Sequence, residues 1–214
     1  MNSMQALMGG DAVSTVVALM LFVMSVCSWV VIFWKSWLLY RAAVDLPRCT
    51  QLFWQAESLP KAMQALHSSD RSCIVLPLAQ ATQELAPGTL AASGDRSQQL
   101  TRLLRDALHG VLNRLQSGQV LLASVGSVAP FVGLLGTVWG IYHALVGIAG
   151  AGQISIEQIS APVGEALIMT AAGLAVAIPA VLAYNVLGRM VGKIEADLEG
   201  FARDLRELLL SRQS

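Results

Sequence analysis

The chain has 214 residues, of which 55 % are hydrophobic and 13 % charged, and its acidic and basic residues balance to a net charge of zero. Water-soluble domains carry about 25 % charged residues, so this composition argues against a soluble domain and favours a membrane protein. A neutral average carries no signal for nucleic acid, and no nucleic-acid partner is expected.

The first apolar run, residues 12–34, has no charged side chain and is long enough to cross a bilayer. No Lys or Arg precedes Lys35, so the basic start of a secretory signal peptide is missing and this run is expected to be retained as the first span. Trp34, Lys35, Trp37 and Tyr40 follow it, the aromatic and basic anchors expected where a helix leaves the membrane. Residues 35–118 are too long for a loop and read as several amphipathic helices. They are punctuated at Pro47, Pro60, Ser68-Ser69-Asp70 and from Pro87-Gly88 to Gly94-Asp95. In their last segment Leu100, Leu103, Leu104, Ala107, Leu108, Val111, Leu112 and Leu115 recur at helical spacing, and this helix is expected to run unbroken into the second span.

From Leu115 to Ile156 no Asp, Glu, Lys or Arg occurs. The second span is placed at 119–149 and a loop at 150–161. Gly126, Gly133, Gly140 and Gly147 recur every seven residues and fall on one helical stripe; with Gly136 they are the expected helix-packing positions. The third span is placed at 162–188. A last helix, 189–214, carries an apolar stripe of Val191, Ile194, Leu198, Phe201, Leu205 and Leu208. That stripe can pack on the 96–118 helix of the same chain or between subunits.

All fourteen basic residues lie in 35–114 or 189–212, whereas residues 1–11 and the loop 150–161 have none. The positive-inside rule then puts the N-terminus outside and both basic segments in the cytoplasm.

Few polar side chains occur within the spans. Pro130 and Pro179 should bend their helices and free carbonyls. Thr137 and Thr170 either bond back to their own helices or line a wet path. His143 suits an interfacial or interhelical hydrogen bond, with proton transfer as the other reading. Glu165 has two readings as well. A helix starting near Pro162 makes it a first-turn carboxylate stabilised by the helix dipole. A helix starting near Ser155, whose Ser-Ile-Glu-Gln resembles a capping box, places it several turns in, where it must face protein or water. No Asp, Glu, Lys or Arg stands between Glu165 and Arg189, or between Asp11 and Lys35. One chain therefore cannot pass protons from carboxylate to carboxylate across the bilayer.

The sequence contains neither HExxH nor GxSxG, and no catalytic activity, cofactor or metal is expected. The run from Gly147 to Ile154 has phosphate-loop glycines but Gln153-Ile154 where Lys and Ser/Thr are needed. Cys27, Cys49 and Cys73 are odd in number and lack CxxC spacing, which argues against a disulfide framework or a zinc site.

The segments SVGSVAPFVGLLGTVWGI and APVGEALIMTAAGLAVAIPAVLAYN, with three spans and a large cytoplasmic insert, resemble the ExbB, TolQ and MotA family of inner-membrane motor proteins. SVCSWVVIFWKS and the Tyr184-Asn185-Val186 exit lean towards the ExbB branch. The resemblance implies an all-α integral membrane protein with a periplasmic N-terminus and a cytoplasmic C-terminus. It also implies a homopentameric ring around the single-span helices of an ExbD-like partner, which would carry the proton-accepting Asp missing here. By motif match Thr137, Glu165 and Thr170 would be the polar residues facing the pore, and Pro130 the kink of the second span. A TonB-like protein would carry the work to outer-membrane receptors for iron chelates or vitamins. The other readings are a TolQ-like subunit serving envelope integrity and a passive membrane scaffold.

Overall fold

A computed structural model describes residues 12–83, 95–151 and 156–211, with side chains for 12–83, 95–147 and 160–211. The expected N-terminal segment 1–11, the Pro87 to Gly94 turn region, the Ser155 cap and the Gly152–Ile154 part of the glycine-rich loop lie outside the described residues.

Among those residues there are six helices and no strand. They are α1 (Ala12–Gln55), α2 (Leu59–Ser69), α3 (Leu76–Ala81), α4 (Arg96–Gln116), α5 (Gln119–Ala151) and α6 (Ile156–Ser211). Three of them, α1, α5 and α6, contain stretches long and apolar enough to cross a membrane, with mean hydropathies of 2.7, 1.8 and 2.3. The chain divides into two units, one within Met1–Phe33 and Gly118–Asn185, the other within Trp34–Ser117 and Val186–Ser214.

The first unit buries many small residues beside a few large ones such as Val17, Leu21 and Leu122, while most of its large apolar side chains face outward. Ala129 is fully buried, yet Phe131, two positions on, is 70 % exposed. Ala144, Ala166, Ala177 and Ala180 are buried, whereas Phe22, Phe33, Ile168 and Leu182 face outward. Water would penalise such an apolar surface, and lipid does not. Small residues at the helix contacts are what membrane packing selects, because van der Waals contact must replace the hydrophobic drive.

In the second unit the pattern reverses and a conventional apolar core forms. Leu39, Ala42, Leu46, Cys49 and Phe53 of α1 are buried at helical spacing, as are Leu100, Leu104, Leu108, Val111, Leu112 and Leu115 of α4. Leu187, Val191, Ile194, Leu198, Phe201 and Leu205 of α6 join them, and the Phe53 and Phe201 rings meet edge to face with centroids 5.1 Å apart. The stripes of α4 and α6 thus find partners within their own chain, the intramolecular alternative. Asp70 organises the short connection before α3. Its buried carboxylate accepts the backbone N–H groups of Ile74, Val75 and Leu76 at 2.8–3.1 Å.

Two expectations are corrected. The helix from 96 does not run on into the second span: α4 ends at Gln116, Ser117 turns out of helical geometry at φ −54°, ψ 138°, and Gly118 adopts φ 83°. Glycine tolerates that left-handed conformation without steric cost, so it ends the helix although the apolar periodicity continues across it. The expected loop 150–161 is also too wide, because α5 continues to Ala151 and α6 begins at Ile156.

Candidate functional site

The polar residues of the membrane segments are held by the antiparallel pairing of α5 and α6. A Cβ added at Gly126 would run into Cγ2 of Val181, and one on Gly136 would lie 2.9 Å from Cβ of Met169. One on Gly140 would lie 2.9 Å from Cβ of Ala166. As the α5 number rises the α6 number falls, which sets the register. Backbone comes closest at Gly133, where an added Cβ would sit 2.6 Å from the Met169 carbonyl oxygen and 3.2 Å from Cα of Thr170. Gly173 faces it, and a Cβ there would lie 2.7 Å from the Ala129 carbonyl oxygen. Backbone touches backbone at this point because neither residue has a side chain. Gly147 is different, since nothing among the described residues lies within 4 Å of a Cβ built there.

Thr170 is half-buried in this contact. Thr137, one helical turn beyond Gly133, is buried, and its hydroxyl donates to the Leu134 carbonyl at 2.7 Å. That is the back-bond to its own helix, and it leaves the hydroxyl oxygen able to accept. The register brings these two threonines to neighbouring levels of the paired helices. Glu165 is not gathered into the same cluster. It is exposed, and five residues of helix rotate it about 140° from Thr170.

The start of α6 at Ile156 bears on the two readings of Glu165, which stands nine residues into the helix. A dipole interaction fades beyond the first turn, so a capping role does not account for this carboxylate. Pro130 and Pro179 both lie inside continuous helices, where each removes the N–H that would bond the carbonyl four residues earlier, at Gly126 and Ala175. His143 is exposed and packs its ring against Trp139 and Tyr142, with centroids at 5.0 and 5.6 Å.

The structure corrects the expectation that Lys35 is a membrane-exit anchor. Trp34, Trp37 and Tyr40 are exposed as anchors should be, but Lys35 is fully buried. Its ammonium donates to the carbonyls of Arg114 at 2.9 Å and Leu115 at 3.2 Å and to the Ser117 hydroxyl at 2.9 Å. A cation thus closes the negative end of α4. The acceptors of Lys35 are two backbone carbonyls and the hydroxyl of Ser117, some eighty residues along the chain, and no sequence signal marks them. No group of three or more His, Cys, Asp or Glu side chains able to hold a metal occurs among the described residues.

Among the described residues the chain is all helical, with three helices long and apolar enough to cross a membrane and small residues at the α5–α6 contact, the features of a multi-pass membrane protein. Residues 73–200 match the model of the MotA/TolQ/ExbB proton channel family, and the chain belongs to that family. It is 44 % identical to the biopolymer transport protein ExbB of Xanthomonas campestris pv. campestris, over 93 % of this chain and 82 % of that one. Identity to the ExbB protein of Neisseria meningitidis is 36 %, over 100 % and 99 % of the two chains. The Tol-Pal system protein TolQ of Haemophilus influenzae is 30 % identical over 98 % and 94 %.

Proposed function

We propose that this chain is the ExbB-type subunit of a proton-driven motor in the bacterial inner membrane. In this reading five copies form a ring around the transmembrane helices of an ExbD-like partner, with the N-terminus in the periplasm and the basic segments in the cytoplasm. A TonB-like transducer passes the work to outer-membrane receptors for iron chelates or vitamins. The observation that carries it is the near full-length similarity to proteins named for biopolymer transport.

The distribution of charge supports the same division of labour. Between Glu165 and Arg189 the third span has no acidic or basic residue, so the proton that drives the motor has to be held by a carboxylate on another chain. Glu165, Thr137 and Thr170 would supply the polar surface past which that carboxylate moves, and the Gly133–Gly173 contact keeps the two helices of the wall together. One charge crossing 100 mV releases about 2.3 kcal/mol, so a few protons per cycle suffice to reset a helix interface.

A TolQ-like role in envelope integrity is the second reading, favoured by the 30 % identity to TolQ. The test is to co-express the chain with the single-span protein encoded beside it, determine the native mass of the purified complex, and measure proton flux in liposomes. A fivefold ring that conducts only with its partner is the expected result. A monomeric or dimeric complex, or flux indifferent to the partner, would overturn the reading. Growth on scarce chelated iron against detergent sensitivity in a deletion strain separates the ExbB-like from the TolQ-like role.

A further inference from the structure

We infer that the second unit contains a binding site for a phosphate-bearing anion, formed by Arg48, Arg71 and Arg41. The three guanidinium groups line an open cleft of about 510 Å³ between α1 and the segment that follows α2. Arg41 and Arg48 are seven residues apart on α1, which puts them on one face two turns from each other. Arg71 reaches the cleft from the turn after α2, and Ser69 adds a hydroxyl.

Charge bookkeeping leaves this cleft in excess. Asp45 is the one carboxylate in its lining, and it already accepts the Ser72 hydroxyl at 2.9 Å and lies 3.8 Å from Arg41. Arg41 is further held over the Trp37 ring, 5.3 Å from its centroid. Among the described residues Arg48 and Arg71 have no carboxylate partner and both are exposed. Three cations against the one lining carboxylate, with the buried Asp70 carboxylate close enough to act on Cys49 in the same lining, leave a net positive cleft suited to a phosphate group. Guanidinium groups are suited to phosphate because their planar N–H pairs match two of its oxygens at once.

The site's place on α1 is also informative. Arg41 follows the charge-free run by seven residues, roughly 10 Å of helix, and the exposed rings of Trp34, Trp37 and Tyr40 stand between. In the reading of α1 as a span this sets the Arg41 end of the cleft just beyond the headgroup layer, with Arg48 roughly 10 Å further from the membrane. A headgroup phosphate and a soluble phosphate present the same chemistry to the arginines, and the experiment separates them. The inference rests on the cleft alone and does not depend on the proposed motor function.

The test uses the full chain in nonionic detergent and isothermal titration with three probes: dihexanoyl phosphatidic acid, dihexanoyl phosphatidylcholine and inorganic phosphate. Saturable binding of the phosphatidic acid, weakened at least about tenfold in the Arg48→Gln/Arg71→Gln variant and less in Arg48→Lys/Arg71→Lys, is expected from the loss of two charge-assisted contacts. Binding of phosphatidic acid without inorganic phosphate assigns the site to lipid; binding of both, in competition, assigns it to the phosphate group itself. Equal affinity in wild type and the Gln variant, or no saturable binding of either anion, overturns the inference. So does arginine-dependent binding of a polyglutamate peptide in place of both phosphate probes. Unchanged helical circular dichroism of both variants accompanies the titration, and the Lys variant supplies the folded, charge-retaining control.

Discussion

The Lys35 ammonium lies 2.9 Å from the Ser117 hydroxyl, and the same group takes up the last carbonyls of α4. A buried charge is tolerated only when its hydrogen bonds are made, and here three acceptors surround it. Lys35→Met should fill the space yet leave the Leu115 carbonyl without its side-chain donor and the Arg114 carbonyl with the Ser117 hydroxyl alone. The expected loss of stability is about 2 kcal/mol, read as a lower midpoint in detergent unfolding. An unchanged midpoint would mean that water takes over those carbonyls and that the lysine is dispensable to the end of the helix.

Gly133 and Gly173 leave no room for a side chain. Gly133→Ala should force α5 and α6 apart, since its Cβ would lie 2.6 Å from the Met169 carbonyl oxygen, and Gly173→Ala should act alike through the Ala129 carbonyl. Overpacking of this kind costs about 1–3 kcal/mol, to be measured as thermal stability of the purified protein. Gly147→Ala is the internal control, because its Cβ would meet nothing among the described residues, and a helix propensity gain of up to about 1 kcal/mol is the expected sign there. Equal destabilisation at 133 and 147 would refute the close contact.

Asp70 was legible only as punctuation, yet its carboxylate holds three backbone N–H groups in a buried turn. Asp70→Ala leaves all three unsatisfied and should cost about 2 kcal/mol or more, whereas Asp70→Asn keeps one acceptor oxygen and should cost less. Hydrogen exchange at Ile74, Val75 and Leu76 is the direct check. Protection of those amides that survives in the Ala variant would deny the carboxylate its role.

The cysteines differ in access. Cys49 is 1 % exposed and Cys73 is exposed, so a hydrophilic maleimide should label Cys73 rapidly and Cys49 only after unfolding. Labelling of both at similar rates in the native protein would show that the core around α1 opens.

These elements were not equally legible. The three apolar helices were readable because crossing lipid demands a long run without charge, and such runs stand out whatever the tertiary structure. The stripes on α4 and α6 were readable for a related reason, since one buried face imposes its period on the residues. The break at Ser117-Gly118 was hidden because the apolar positions stay nearly in phase across it, and a single glycine inside a helix is common enough to pass. Lys35 and Asp70 were hidden more deeply: both act on backbone groups, Lys35 some eighty residues away and Asp70 in the next turn, and backbone groups leave no mark on sequence. In the candidate site the residue types and their rotation around α6 were readable, but which face of α6 meets α5, and so that Thr170 lies at the contact, appeared only with the register set by Gly133 and Gly173.

Glu165 provides the sharpest functional prediction. It stands nine residues into α6, beyond the reach of the helix dipole, and it is exposed on the chain as described. A charge facing lipid there would cost at least a few kcal/mol, so in the proposed assembly it faces water or another chain. Glu165→Gln keeps the shape and removes the charge, and Thr170→Val keeps the volume and removes the hydroxyl beside Gly133. Both variants should assemble with the partner, yet energised uptake and proton flux should fall at least about tenfold, a barrier increase of about 1.4 kcal/mol. Assembly is read by native mass and flux by a pH-sensitive dye in liposomes. Because removing a charge from a lipid-facing position would raise stability and leave flux unchanged, that pair of results would mark Glu165 as a surface residue. Loss of flux with intact assembly is the outcome that only a working position predicts.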